Sequence, residues 1–349
     1  MKPISLKPAH LRIALLLLGI SVAGCSSTAQ RSLDTEDVKK ERLLQQQNAL
    51  EEAYRQNSRL QRLAFPLLQT ATTQCGEKVK PKLGLQLHTA NDYSSSQREA
   101  AVKAFGPLDG IRIKDVIEGA PAQGKLLPGD RLLLINGEQV TESSRGTAQQ
   151  LRNAMSDDLT VRVEVEREGT EIALRLNAVA LCDYPVILSR RDAINAFADG
   201  DTIVINEGLI RFAQADKDLA LIIAHELAHN VIDHRADKIR DGLIGGLFDI
   251  AISLSGNMIS PGIGVGLGAN LLSQEYEIEA DILAIRLMHQ QGYAVASLPE
   301  FWRKMASVHP SSIHHGNQAS HPTTVERYLI MKKEVEHLTQ SEKDTPLDK

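Results

Sequence analysis

Aromatic residues are scarce, 4% of 349 positions with a single tryptophan, which argues against a surface that stacks nucleic-acid bases. Neither sign of charge dominates. The formal net charge of -5 is mild and mixed along the chain, so nothing advertises a nucleic-acid partner. Cysteine is limited to three residues, Cys25, Cys75 and Cys182. What is present, 42% hydrophobic and 24% charged residues, is the composition of a soluble globular protein. The length is too great for one ordinary core and predicts more than one domain.

The N-terminus carries an address. Lys2, Lys7 and Arg12 precede an apolar run from Ile13 to Ile20, and Ser21-Val22-Ala23-Gly24-Cys25 follows. A basic region, a short apolar region and small residues before a cut site predict a secretory signal peptide over residues 1–24. The run is well short of the ~20 residues that span a bilayer. Val-Ala-Gly-Cys resembles the lipobox of bacterial lipoproteins, which implies cleavage before Cys25 and acylation of that cysteine. Several acyl chains give stable membrane anchoring where one does not. Ser26 in place of Asp implies, within that resemblance, the periplasmic face of the outer membrane. Cys75 and Cys182 are then left in an oxidising compartment, either paired or as separate buried thiols.

Between residues 25 and 77 the chain is rich in Gln, Glu, Arg and Leu, and Leu43, Leu44, Leu50, Tyr54, Leu60 and Leu63 recur at roughly helical spacing. This reads as a helical tether or linker, or as a helix packed on the body that follows. Residues 78–180 have another texture. Leu83–Leu87, Ile111–Ile117, Leu132–Asn136, Thr160–Val165 and Ile172–Leu176 read as strands, Thr147–Met155 as a helix, and Gly119-Ala120-Pro121 and Pro128-Gly129-Asp130 as turns. The layout resembles a bacterial-type PDZ domain, with Leu83-Gly84-Leu85 at its carboxylate-binding loop. That implies peptide binding by strand addition beside Leu83, Gly84 and Leu85, including C-terminal tails.

The third unit, residues 185–338, holds the chemistry. Thr202–Ile205 reads as a strand, and Asp216 as the cap of a helix whose apolar face includes Leu219, Ile222, Ile223 and Leu227. On that helix stand His225-Glu226-Leu227-Ala228-His229. Histidines four apart project from one helical face onto one metal ion, and Glu226 reaches the attacking water without joining the ligands. Neutral imidazole suits zinc. Leu271–His289 reads as a second helix carrying Glu275, Glu277, Glu279 and Asp281. Glu279 lies about 200° around the helix from Glu277, so the two cannot face one ion together. Residues 242–272 are rich in Gly and apolar residues, either a mobile lid or a hairpin of core helices, and a poor spanning helix. His234, His309, His314 and His315 have no ligand spacing and read as solvated. The charged residues 339–349 predict a disordered tail.

HExxH followed on a second helix by E-x-E-A-D resembles the gluzincin metallopeptidases that include HtpX, the CAAX prenyl proteases and the BepA-like proteases. The resemblance implies one Zn2+ per chain held by His225, His229 and Glu277, with Glu226 as general base. It places Asp281 behind a metal-bound histidine, and takes Thr202–Ile205 as an edge strand where substrate pairs. It extends to Ser320-His321-Pro322 and Arg327. There His321 implies a catalytic group at the oxyanion, or an occupant of the open coordination site at rest, with Arg327 as its orienter.

The expected architecture is therefore multidomain: a mainly α (α+β) zincin-like metalloprotease domain plus a β-rich PDZ domain. The expected function is that of a lipid-anchored periplasmic zinc endopeptidase cleaving misfolded or stalled envelope proteins. The alternative is an envelope-protein assembly factor that holds zinc in a normally closed site and recognises partners through its PDZ domain.

Overall fold

The computed structural model describes residues 33–155, 159–232, 267–308, 310, 321 and 325–344. The expected signal peptide, Cys25, most of the Gly-rich segment, His234, His309, His314 and His315 lie outside them. The chain falls into two compact units, Met1–Glu41 and Arg42–Lys349. In the first, Asp34 Oδ1 accepts the Glu36 N–H at 2.8 Å, satisfying a donor that the first turn of a helix leaves unpaired. No helix among the described residues is long and apolar enough to cross a membrane.

Helix α1 runs Thr35–Thr70. Its second half is no free stalk: Leu60, Leu63, Ala64, Phe65, Leu67 and Leu68 are buried in one core with the strands and helices of the peptidase unit. The tether reading is corrected for these residues, because the i, i+3, i+4, i+7 apolar stripe that predicted the helix is a packing face. Further back, Leu50 packs with Tyr93, Ala100, Ala101 and Leu108 of the next domain.

That domain is a sheet in the order β2-β3-β4-β6-β7, with β5 paired to β4. The strands are β2 Leu85–His88, β3 Ile111–Val116, β4 Arg131–Ile135, β5 Glu138–Gln139, β6 Thr160–Arg167 and β7 Thr170–Asn177. Alternation drives burial: Ile111 and Ile113, and Val161, Val163 and Val165, all face the core. Asn136 (φ 51°) and Gly137 (φ 85°) form the tight link from β4 to β5, the two successive left-handed residues that a right-twisted hairpin favours. Helix α2 is Arg98–Phe105. Helix α3, Ser144–Ala154, starts where the Ser143 hydroxyl accepts the Gly146 N–H, so the predicted helix begins three residues earlier than its apolar positions suggest.

The ends of this domain return to one place. Strand β1 (Val79–Lys82) pairs with β8 (Val179–Cys182), and Cys75 is bonded to Cys182 across a Cα–Cα distance of 5.7 Å. The bridge closes a loop with a sequence separation of 107 residues. Such a loop constrains the unfolded chain, so replacing both cysteines by serine is expected to lower the unfolding free energy by about 3 kcal/mol. Denaturant titration of the double variant checks this; a loss below about 1 kcal/mol would mean the bridge adds little beyond packing.

Beyond the ribbon, a three-stranded sheet is ordered β10-β11-β9, from β9 Val186–Ser189, β10 Ala196–Ala198 and β11 Ile203–Asn206. The strand expected at an edge is therefore central: β11 pairs antiparallel with β10 and parallel with β9. Its backbone groups are already in ladders, and substrate pairing on Thr202–Ile205 is set aside.

Helix α4 (Glu207–Phe212) leads into α5 (Asp216–Val231). Asp216 is the first residue inside α5, not its cap, which is Ala215. Its carboxylate takes Arg59 and Arg62 of α1, each at 2.7 Å, where a negative charge also favours the helix N-terminus. Helix α5 packs on α6 (Leu267–Gln290), with α7 (Pro299–Val308) and α8 (Val325–Asp344) alongside. The expected disordered tail is corrected as far as Asp344. Thr339 and Ser341 bond back to Val335 and His337, and Leu338 packs on the core, so charge alone did not fray this end.

Candidate metal centre

Helix α5 is buried nearly all round, including Leu219–Leu227, which is what a helix in the centre of a domain requires. Its two histidines are therefore carried inside. His225 is 2% exposed and Glu226 2%. Asn230, one residue past His229, ties the helix to the sheet: its Oδ1 accepts the Gly200 N–H and its Nδ2 donates to Thr202 O. Helix α6 lies across α5 and turns Glu277 and Asp281 inward, each 1% exposed. The rivals Glu275 and Glu279 point to solvent, as the helical angle between Glu277 and Glu279 requires.

Four donors converge: His225, His229, Glu277 and His321, with their ligand atoms all within 4.8 Å of one another. His225 Nε2 and His229 Nε2 are 3.1 Å apart. Each is 3.4 Å from a Glu277 oxygen. His321 Nδ1 stands 3.4 Å from His225 Nε2 and 3.1 Å from Glu277 Oε1. A tetrahedral zinc ion with bonds of about 2.0–2.1 Å would separate its donor atoms by about 3.3 Å. The residues fit a zinc ion.

Charge balance supports the same use. Burial pushes His229 down to about 3 against the pull of Glu277, leaving it neutral, the form that ligates metal. Burial also pushes His225 down, but Asp281 and Glu277 outweigh it and hold the imidazole up at about 9. Those carboxylates favour positive charge at this point, whether a proton or a metal ion. Burial opposes the charge on Glu277 too, yet His321, Arg327 and His229 hold its carboxyl well below the usual range.

Behind the ligands lies a second layer. Asp281 Oδ1 is 3.0 Å from His225 Nδ1, a close contact bent enough that Nδ1 has no straight hydrogen bond. Arg327 is 1% exposed and forks onto Asp281 at 2.7 and 2.8 Å and onto Glu277 at 2.8 Å. Arg327 thus bonds the carboxylates of both Glu277 and Asp281 and ties α8 to α6 behind the cluster.

Trp302 was not singled out from the sequence. It is the single tryptophan, donates its indole N–H to Asp281 Oδ1 at 3.1 Å, and stands edge-on to His225 with ring centroids 5.5 Å apart. Its rarity was the one available signal. Zinc added to metal-free protein is expected to change tryptophan emission with one-to-one stoichiometry, and His225→Ala to abolish the change. An emission spectrum indifferent to zinc would place the ion elsewhere.

Glu226 sits beside the cluster and outside the donor set. Its Oε1 is 3.4 Å from His321 Nε2, and its Oε2 is buried with no hydrogen-bond partner among the described residues. A buried carboxylate oxygen in that state is poised for water or substrate.

At the edge of the six-stranded sheet, Leu83, Gly84 and Leu85 form the turn into β2. Gly84 has φ 71°, and a Cβ there would run into Ala120 Cβ, which explains glycine at this loop. The three line a cavity whose other side is α3.

Residues 161–334 match the family model of Peptidase family M48, and residues 81–177 that of the PDZ domain. The first match takes in β6 and β7, which belong to the PDZ sheet. The beta-barrel assembly-enhancing protease of Escherichia coli strain K12 is 25% identical over 183 residues, 48% of this chain and 36% of that protein. That of Yersinia pestis is 27% identical over 152 residues, 40% of this chain and 31% of that protein. The mitochondrial metalloendopeptidase OMA1 of Schizosaccharomyces pombe is 30% identical over 136 residues, 34% of this chain and 40% of that protein. The chain spans about a third of the length of the first two of these curated relatives.

Proposed function

For a chain that carries a Peptidase family M48 domain together with a PDZ domain, we propose the work of a zinc endopeptidase of the periplasm that cleaves misfolded or stalled envelope proteins. The observation that carries this reading is the convergence of His225, His229 and Glu277 on one point with Glu226 beside them. The curated relatives named for beta-barrel assembly supply the envelope context. Cys25 is the proposed site of lipid attachment, and Leu83, Gly84 and Leu85 the proposed seat of peptide tails.

The residues divide the work. His225, His229 and Glu277 would hold zinc, which supplies a Lewis acid and lowers the pKa of water. Glu226 takes the proton of the attacking water and returns it to the leaving amine. Asp281 would steady His225 through its close contact at Nδ1, and Arg327 keeps Glu277 and Asp281 charged and in place. Burial of all these groups excludes bulk water and strengthens each interaction.

A second reading has its own observation. His321 Nδ1 joins the donor set and its Nε2 faces Glu226, which supports a site that is closed at rest. On that reading His321 is a gate, and the chain acts as an assembly factor until it opens.

The deciding measurements use an unfolded outer-membrane β-barrel protein as substrate. Chelation is expected to abolish cleavage and one equivalent of zinc to restore it; cleavage that survives full removal of zinc would overturn the reading. His321→Ala is expected to raise the rate if the residue gates, and to lower it if it stabilises the oxyanion.

A further inference from the structure

A cavity of about 510 Å3 opens between the PDZ sheet and the peptidase sheet, within the range of sites that take a ligand. On one side are Leu85 of β2 and Leu151, Arg152 and Met155 at the C-terminal end of α3; on the other are Ile187 and Leu188 of β9. The two walls come from different domains, and each presents a strand edge.

The edges follow from the ladders. Ile117 donates its N–H to Gly84 O at 2.8 Å, and among the described residues β2 pairs with β3 alone. Hydrogen-bonding direction alternates along an antiparallel strand, so Leu85 turns its own N–H and C=O to the side of the sheet without a strand. In the parallel ladder Val186 stands opposite Ile203, and Ile203 donates its N–H to Pro185 O at 2.9 Å. Val186 and Leu188 therefore turn their peptide groups away from β11. The Val186 carbonyl is taken by the Gln61 amide at 2.7 Å, which leaves Leu188 at the open stretch. Next to it Ile187 is 48% exposed. An exposed branched apolar side chain on an edge strand is a liability unless something covers it.

We propose that this cavity is a composite peptide site, in which one extended peptide is held by the PDZ strand β2 and read along its other side by β9 of the peptidase. The occupant is the C-terminal end of another polypeptide. Its free carboxylate meets the loop at Gly84, its apolar last side chain lies against Leu151 and Met155, and the residues before it run along Ile187 and Leu188. Charge favours that end: the charged side chains described on the wall are Lys82, which Asp183 pairs at 2.6 Å, and Arg152, whose guanidinium bonds the neutral Gln149 amide. Extended backbone suits two edges better than a helix does, because each edge supplies main-chain donors and acceptors at strand spacing. This inference rests on the peptide-binding part of the function proposed above and adds the peptidase wall to it. A tail bound here fastens the PDZ domain to the sheet that leads through β11 and α4 into the zinc helix.

The test uses the full chain with Glu226→Gln, so that the probe is not cut. The probes are fluorescein-labelled decapeptides ending in Val, Leu or Phe with a free carboxylate, and their amidated twins, read by fluorescence anisotropy. Ile187→Glu on β9 is expected to weaken binding tenfold or more and Ile187→Ala about threefold; Arg152→Glu and amidation should each weaken it about tenfold. Melting of each variant identifies any that fails to fold, and the milder Ile187→Ala then decides. If both Ile187 variants bind within a factor of 1.5 of the parent while Arg152→Glu does not, the PDZ domain reads its peptide alone and the composite site is overturned. Amidated twins that bind as well as free acids overturn the terminal carboxylate. If no peptide binds the parent, the PDZ reading itself fails along with this one.

Discussion

Glu226→Gln is expected to leave one zinc ion per chain and to lower kcat/KM for peptide hydrolysis by roughly 10²- to 10⁴-fold, the usual contribution of a positioned general base. The substitution is close to isosteric, and Glu226 is not among the four converging donors, so ligation should survive. What changes is the ability to accept a proton. Glu226 Oε2 is buried without a partner among the described residues, and an amide there can donate or accept a hydrogen bond but cannot take the proton from water. Zinc content by mass spectrometry and cleavage rates on one substrate check both halves. Loss of zinc along with activity would recast Glu226 as a structural support of the site. Full ligation with activity within tenfold of the parent would pass the base role to another group, and His321, whose Nε2 lies 3.4 Å from Glu226 Oε1, is the nearest candidate.

The parts of the site that could be read from sequence are those fixed by local geometry. His225 and His229 share a helical face because four residues make about one turn. The same periodicity sets Glu277 and Asp281 on one face of α6 and turns Glu275 and Glu279 out. The strands of the PDZ sheet were legible through alternation at Ile111 and Ile113 and at Val161, Val163 and Val165, and its turns through glycine at left-handed positions.

What could not be read depends on contacts between distant residues. Trp302 reaches Asp281 across 21 positions and Arg327 reaches it across 46. Nothing local distinguishes that tryptophan from any other core aromatic. Strand order was also hidden: Ile203–Asn206 has the β-branched texture of a strand, but only the tertiary pairing with β9 and β10 makes it central. The second half of α1 was ambiguous for a related reason. An apolar stripe states that a helix packs, and leaves open against what.

Arg327 is where removal of one side chain should cost most in stability. Arg327→Met is expected to lower the unfolding free energy of the metal-free protein by about 3–5 kcal/mol, the range for breaking a buried ion pair by deleting one partner. The guanidinium, Glu277 and Asp281 are each 1% exposed, so water cannot replace the lost bonds. Two carboxylates one helical turn apart would then face each other without the cation that bonds both. Burial weakens the case for a net gain from the triad over an apolar core, but not the penalty for leaving it incomplete. Arg327→Lys keeps the charge and loses the planar fork that bonds Asp281 twice, so it should recover only part of the loss. Arg286→Met provides the contrast. Its bond to Glu334 is equally short, 2.7 Å, but the arginine is 53% exposed, and the change should stay within about 1 kcal/mol. Denaturant unfolding of the three variants separates these cases. If Arg327→Met proves as mild as Arg286→Met, the two acids must be protonated in the metal-free fold, and Arg327 would then orient Glu277 by shape instead of by charge.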